Sequence, residues 1–228
     1  MSAVHRSNEK DALHFRAGSA VACQDARSGS ATDVVRRARL QPGQRCEVEC
    51  EVDKEQWYSQ CLALLESTPQ AIVTLVVDLP PALLQATDGP GTWNPRQVLE
   101  HLVWAEVDDW IPRVRLILEQ QDRVAFTPFD REGGAKRYGD WSVDGLGAEF
   151  LRLRAESLAT LRALNFGPEQ LRLAGRHPSL GVVNMAQLIA SWVAHDLAHL
   201  DQIARTLARQ YTTDVGPWRD FMKVLREG

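Results

Sequence analysis

The tetrapeptide pattern Asn-x-x-Gln appears twice in this chain, each time just ahead of a long amphipathic run: NPRQ at 94–97 and NMAQ at 184–187. Asn is a strong helix N-cap, and Gln three positions later can reach back to the cap's backbone N–H. Pro95 suits the first helical position, where its missing N–H is no loss. Two long helices are thereby given their starting points. One runs from Asn94 through VLEHLVWAEVDDWIPRVRLILEQ, with Val98, Leu102, Ala105, Asp109 and Trp110 on one broad face and Pro112 as an expected kink. The other runs from Asn184 to about Gln210.

Two further helices complete the pattern. Residues 54–78 carry an apolar face marked by Trp57, Cys61, Leu64 and Leu65, with Thr68-Pro69 expected to break or restart the helix. A third helix is expected after Ser142 and runs to about Leu164, striped by Leu146, Phe150, Leu153, Leu158, Leu161 and Leu164. The connectors DLPPALLQATDGPGTW, TPFDREGGAKRYGDW and NFGPEQLRLAGRHPSLG read as loops, and the tail allows a short final helix. With no convincing strand pair in residues 54–228, the expected fold is all-α, a four-helix bundle. Its connections are long, so simple up-down topology is not implied. Residues 1–53 show no sustained period and read as a poorly ordered N-terminal extension. Their Cys23, Cys46 and Cys50, with Cys61, read as reduced thiols; Cys46 pairing with Cys50 is the alternative.

Charge excludes some functions. The formal net charge is −4, with 30 acidic against 26 basic residues, and no basic stripe points to nucleic acid. No apolar window is long enough to span a membrane, and the first residues lack the apolar core of a signal peptide. A cytoplasmic location is expected.

Chemistry centres on histidine. In helical projection Asp201, Arg205 and Arg209 mark the solvent side of the last long helix, and Val193, Leu197, Leu200, Ala204 and Leu207 form an apolar face. His195 and His199 share a third strip with Leu188, Trp192, Gln202 and Thr206, one turn apart and beside the apolar arc. An i, i+4 pair can reach one metal ion, but such pairs also occur as packed core histidines. The stretch is not HExxH, since Asp196 follows His195. His101 lies inward among Val98, Leu102 and Ala105. Of the remaining histidines, His5 and His14 fall in the extension and His177 sits in a loop before a proline. Three inward imidazoles need partners, and one metal would satisfy all three. Gln202 is placed to orient a ligand or bound water. A structural role is expected for Asp196, and Glu100 and Glu106 read as solvated. Trp104 and Trp192 read as core or cavity wall.

The run WNPRQVLEHL (93–102), the loop HPSLG (177–181), the stretch WVAHDLAHLDQI (192–203) and the closing VGPW (215–218) together resemble the DinB/YfiT-like superfamily. The resemblance covers about residues 55–228 and touches nothing before them. It implies a four-helix bundle holding one divalent ion, zinc or nickel, on His101, His195 and His199, and frequent homodimers. It also implies a metal-dependent transferase using a low-molecular-weight thiol of the bacillithiol or mycothiol type on a small-molecule electrophile. A metal-dependent hydrolase, or a non-catalytic stress-response protein stabilised by metal, are the alternatives. Three neutral ligands leave an ion its full charge and an open position, where a water or a thiol can be deprotonated. His177 is the candidate for a fourth ligand that would close the site.

Overall fold

The computed structural model describes residues 54–226. The expectations for 1–53, including any Cys46–Cys50 pairing, lie outside the described residues. Eight α-helices follow one another: α1 (Lys54–Val76), α2 (Pro81–Leu84), α3 (Pro95–Asp108), α4 (Trp110–Gln120), α5 (Gly133–Tyr138), α6 (Val143–Leu164), α7 (Pro168–Leu171) and α8 (Met185–Arg209). Four of these positions form a four-helix bundle: α1, α3 with its continuation α4, α6 and α8. Helix α1 packs on α6 and α8, and so does α3. Consecutive long helices α1 and α3 therefore sit on a diagonal, as do α6 and α8. Diagonal steps need long connections, which is why α2 fills the first linker and α7 with a hairpin fills the last, whereas α5 lies in the linker between the neighbours α3–α4 and α6.

Both Asn-x-x-Gln boxes form as the sequence implies. Oδ1 of Asn94 accepts from the Gln97 backbone N–H at 2.9 Å, and Oε1 of Gln97 accepts from the Asn94 N–H at 3.0 Å. Asn184 and Gln187 exchange the same bonds, each at 2.9 Å. Ser142 caps α6 through the Gly145 N–H at 3.0 Å.

Several expectations are corrected. Helix α1 runs unbroken through Thr68-Pro69. An interior proline removes the hydrogen bond to the carbonyl four residues back, at a cost of about 3 kcal/mol. Here the freed carbonyl, Leu65, accepts instead from Nη1 of Arg154 at 2.8 Å. The second long helix breaks at Asp109, between α3 and α4, rather than at Pro112. Pro112 lies in the first turn of α4, three residues past the break, and its missing N–H removes the bond that the carbonyl of Asp108, the last residue of α3, would accept if the helix were continuous. The linker at 127–141 contains α5. The linker before α8 folds into a two-stranded antiparallel hairpin, β1 (Ala174–His177) and β2 (Gly181–Asn184). Gly181, at φ +78°, closes its turn, a conformation that favours glycine. The tail forms 3₁₀ turns at Gly216–Phe221 and Lys223–Leu225.

The apolar core lies in two halves. One gathers around Leu65, Ile117, Leu161 and Trp192; the other around Ile72, Leu99, Phe150 and Ile203. Between them each bundle helix contributes polar groups: Thr68 and the Leu65 carbonyl from α1, Glu106 from α3, Arg154 and Ser157 from α6, Asp196 from α8. Glu106 is thus buried rather than solvated. Arg154 Nε and Nη2 donate to Glu106 Oε1 at 2.9 and 2.7 Å. Its Nη1 donates to Asp196 Oδ2 at 2.6 Å and its Nη2 to Oδ1 at 3.2 Å. Ser157 Oγ donates to Glu106 at 2.8 Å, and Thr68 Oγ1 to Asp196 at 2.6 Å. Every buried charge here has hydrogen-bonded partners, the condition under which such groups are tolerated. Asp196 holds the structural role expected of it, but through side chains of two other helices.

The buried arc of α8 runs through Met185, Ile189, Trp192, Asp196 and Ile203. Leu197, assigned above to the apolar face, is 42% exposed. The arc is rotated because the polar layer draws Asp196, not Leu197, to the centre of the bundle.

Candidate metal centre

His101 stands on the second turn of α3, and His195 and His199 stand one turn apart on α8. All three are beside the level of the polar layer. Nε2 of His195 lies 3.0 Å from Nε2 of His101 and 3.1 Å from Nε2 of His199. Two metal–nitrogen bonds of about 2.0–2.1 Å meeting at roughly 90–110° would hold their nitrogens about 2.8–3.4 Å apart. Both separations from His195 suit one ion, and the ligand atoms of the three histidines all lie within 4.8 Å of one another. Among the described residues this cluster has three members, and His177 is not one of them. Nδ1 of His177 instead accepts the backbone N–H groups of Ser179 and Leu180, at 3.2 and 3.1 Å, and holds the hairpin turn.

The rings are gripped by aromatic neighbours. Trp110 stacks on buried Trp192 at 5.3 Å and meets His195 in a T-shaped arrangement at 5.2 Å. Trp93, just before the Asn94 cap, lies 4.8 Å from His101 and 6.2 Å from His199. Phe129 meets His101 edge-on at 5.4 Å. Trp192 is core, as expected, and Trp104 is partly buried.

Protonation favours free lone pairs. Burial, reinforced by the neighbouring His199, His195 and Arg131, pushes the His101 pKa down to about 3. Burial and His195 push that of His199 down to about 4. Both imidazoles are neutral near pH 7. Oε1 of Gln202 lies 2.9 Å from Nδ1 of His199. An amide oxygen only accepts, so Nδ1 carries the proton and Nε2 presents its lone pair to the cluster. Gln202 therefore orients His199 itself, a different task from holding a ligand or water. Nδ1 of His101 and of His195 are buried without a hydrogen-bond partner. The carboxylate nearest His195 is Asp196, whose Oδ1 is 3.9 Å from His195 Nδ1. Burial raises the proton affinity of Asp196, but His195, Arg154 and Thr68 outweigh it and keep the carboxyl below its usual range.

Two clefts open on these rings. One, about 860 Å³, is bounded by Trp93, Gln97, Glu100, Arg131 and Gln202 as well as His101 and His199. Glu100, buried rather than solvated, pairs there with Arg96 at 2.9 Å. The other, about 530 Å³, is bounded by Asp109, Arg113, Phe129, Arg131 and His177 with all three histidines. Burial raises the pKa of Asp109 despite its ion pair with Arg113 at 2.6 Å. The segment carrying Phe129 and Arg131 is held against α3 by α5. A Cβ on Gly134 would stand 2.6 Å from the Glu100 backbone oxygen, so only glycine permits that approach.

The polar layer, Arg131 and the second cleft were not foreseen. Arg154 carries a readable sign: it falls four residues from both Phe150 and Leu158 on the apolar stripe of α6. A charge at such a position needs a buried counter-charge.

Comparison with known proteins agrees with this architecture. Residues 64–203 match the family model of the DinB superfamily, and the chain belongs to that superfamily. A protein of Oceanobacillus iheyensis, provisionally named a metal-dependent hydrolase, is 26% identical over 151 residues, covering 64% of this chain and 83% of that protein. The solved structure of YfiT from Bacillus subtilis, described as a probable metal-dependent hydrolase with an unusual four-helix bundle topology, aligns with a TM-score of 0.61. The match covers 70% of this chain and 90% of YfiT at 22% identity. No helix among the described residues is long and apolar enough to cross a membrane.

Proposed function

We propose that this chain is a metal-dependent enzyme that brings two small molecules together at His101, His195 and His199, transferring a low-molecular-weight thiol to a small electrophile. The observation that carries this reading is that two clefts meet at one set of rings, with His101, His199 and Arg131 bordering both. Hydrolysis needs room for one organic substrate and water. Two clefts offer room for two organic partners. A divalent ion, zinc or nickel, would be held by the three Nε2 atoms and would stabilise an anion of sulfur or oxygen near neutral pH. The chain's own groups do the rest. Neutral His101 and His199 leave the ion its full charge, Gln202 fixes the His199 ring, and Trp93 and Phe129 wall the rings from bulk water. In the reaction the thiol S–H gives up its proton to solvent, sulfur bonds to the electrophilic carbon, and that carbon expels its leaving group.

The hydrolase reading is supported by the names its relatives carry. One experiment separates the two. Protein purified without chelator is analysed for metal, then offered ester, amide and electrophile panels with and without bacillithiol or mycothiol. Turnover that requires the thiol supports transfer; turnover without it supports hydrolysis. A metal content near one ion per chain that is lost in His195→Ala is expected. Protein without stoichiometric divalent metal, or unchanged metal in the variant, overturns the metal centre.

A further inference from the structure

Three cations border the two clefts: Arg113, Arg131 and Lys136. Arg113 is paired with Asp109 at 2.6 Å. Lys136 is paired with Asp130 at 2.9 Å. Arg131 makes no hydrogen bond or ion pair among the described residues. Of the two acids beside it in sequence, Asp130 is occupied by Lys136 and by the Glu132 N–H, and Glu132, which borders the same cleft, forms no ion pair with it. What Arg131 does touch is the Trp93 ring, with Cζ 5.9 Å from its centroid, and Trp93 in turn flanks His101 and His199. A guanidinium laid over an indole keeps its donor edge free while its face is supported. The close approach of α5 at Gly134 then fixes the backbone that carries it.

We infer that Arg131 is an anion-recognition residue at the junction of the two clefts, and that a ligand of the histidine centre carries a carboxylate which Arg131 binds through its two-pronged edge. A planar guanidinium matches a carboxylate with paired, charge-assisted hydrogen bonds. The charge balance favours a monoanion over a phosphate dianion. Arg131 supplies one unpaired positive charge, and Glu100 and Glu132 border the same cleft. The inference names a feature of the substrate for the reaction proposed above, and rests on the clefts taking organic ligands.

The test uses two matched pairs of probes: N-acetylcysteine against its amide, and N-acetylalanine against its amide. Each is titrated by calorimetry into full-length, metal-loaded protein and into Arg131→Gln and Arg131→Lys variants. Arg131 is exposed and makes no bonds within the protein, so the variants should keep the parent's melting temperature. The expected result is a preference of about tenfold or more for acid over amide in the parent. Arg131→Gln should reduce the preference to near unity, and Arg131→Lys should restore part of it. An acid preference that is the same for the cysteine and alanine pairs would leave the Arg131 assignment standing and remove support for the thiol. Equal binding of acid and amide by the parent, a preference that survives in Arg131→Gln, or no binding of either acid would overturn the assignment.

Discussion

Replacing Arg154 with Met keeps most of the side chain's length and removes its charge. The guanidinium makes five hydrogen bonds, to Glu106, Asp196 and the Leu65 carbonyl. The Glu106 and Asp196 side chains are both 0% exposed. Arg154→Met therefore strands two buried carboxylates and reopens the gap that Pro69 leaves at Leu65. Removing one partner of a buried ion pair costs about 3–5 kcal/mol, which for a chain of this size lowers Tm by roughly 6–20 °C. The loss should depend on pH. Without Arg154 the two carboxyls relieve their burial by binding protons, so their folded-state pKa values rise above the unfolded ones. The folded variant then holds more protons than its unfolded chain, and its deficit grows as pH rises through the carboxylate range. Urea unfolding, followed by circular dichroism and tryptophan fluorescence on metal-free protein, should show the widest gap between parent and variant near pH 7–8. That gap should narrow by up to about 1.4 kcal/mol per bound proton for each pH unit lost towards pH 4–5. A triple variant, Glu106→Leu, Arg154→Met and Asp196→Leu, carries no stranded charge and should regain much of the loss. A loss below about 1 kcal/mol for Arg154→Met, far under the range expected for a broken buried pair, or a gap that does not change with pH, would refute the account of the polar layer.

The chelated parent should itself lose stability in acid. His101 and His199, with ordinary values of 6.5 and folded values of about 3 and about 4, bind protons in the unfolded chain first. Their stabilising effect is whole above about pH 6.5 and is lost as pH falls towards 4, at about 2 kcal/mol each between pH 7 and pH 5. Denaturant titrations at those two pH values should show it, and His101→Gln should lessen the slope. Gln202→Ala frees the His199 ring and should weaken metal binding by about 10- to 100-fold without unfolding the protein, as read by competition with a chromophoric chelator. Gly134→Ala forces α5 away from the Glu100 backbone and should destabilise by about 1–3 kcal/mol. It should also displace Arg131, so that any acid-over-amide preference falls with it while metal content stays.

How much of this was legible in the chain depends on the range of the interactions involved. The starts of α3, α6 and α8 were readable because a cap acts across three residues, as Asn94 with Gln97 and Asn184 with Gln187 do. The pairing of His195 with His199 was readable because both ride on one helix, and His101 because its apolar neighbours show which way α3 faces. Pro69 was misleading. Locally it signals a break, and the group that keeps α1 whole, Arg154, lies 89 positions beyond the Leu65 carbonyl it bonds. The hairpin was missed because its strands have four residues each, too few for an alternating pattern to declare itself. Glu106 read as solvated because its counter-charge is on α6, 48 residues away.

The sequence by itself determined where the long helices begin and that three imidazoles turn inward. These follow from hydrogen bonds and side-chain periods within a few residues of one another. Only the tertiary structure decided that α1 and α3 stand on a diagonal, that a buried Arg154 joins four helices between two apolar half-cores, and that two clefts meet at one histidine cluster with Arg131 between them. Each of those depends on groups far apart in the chain, whose encounter is set by packing and by the need to pair buried charge.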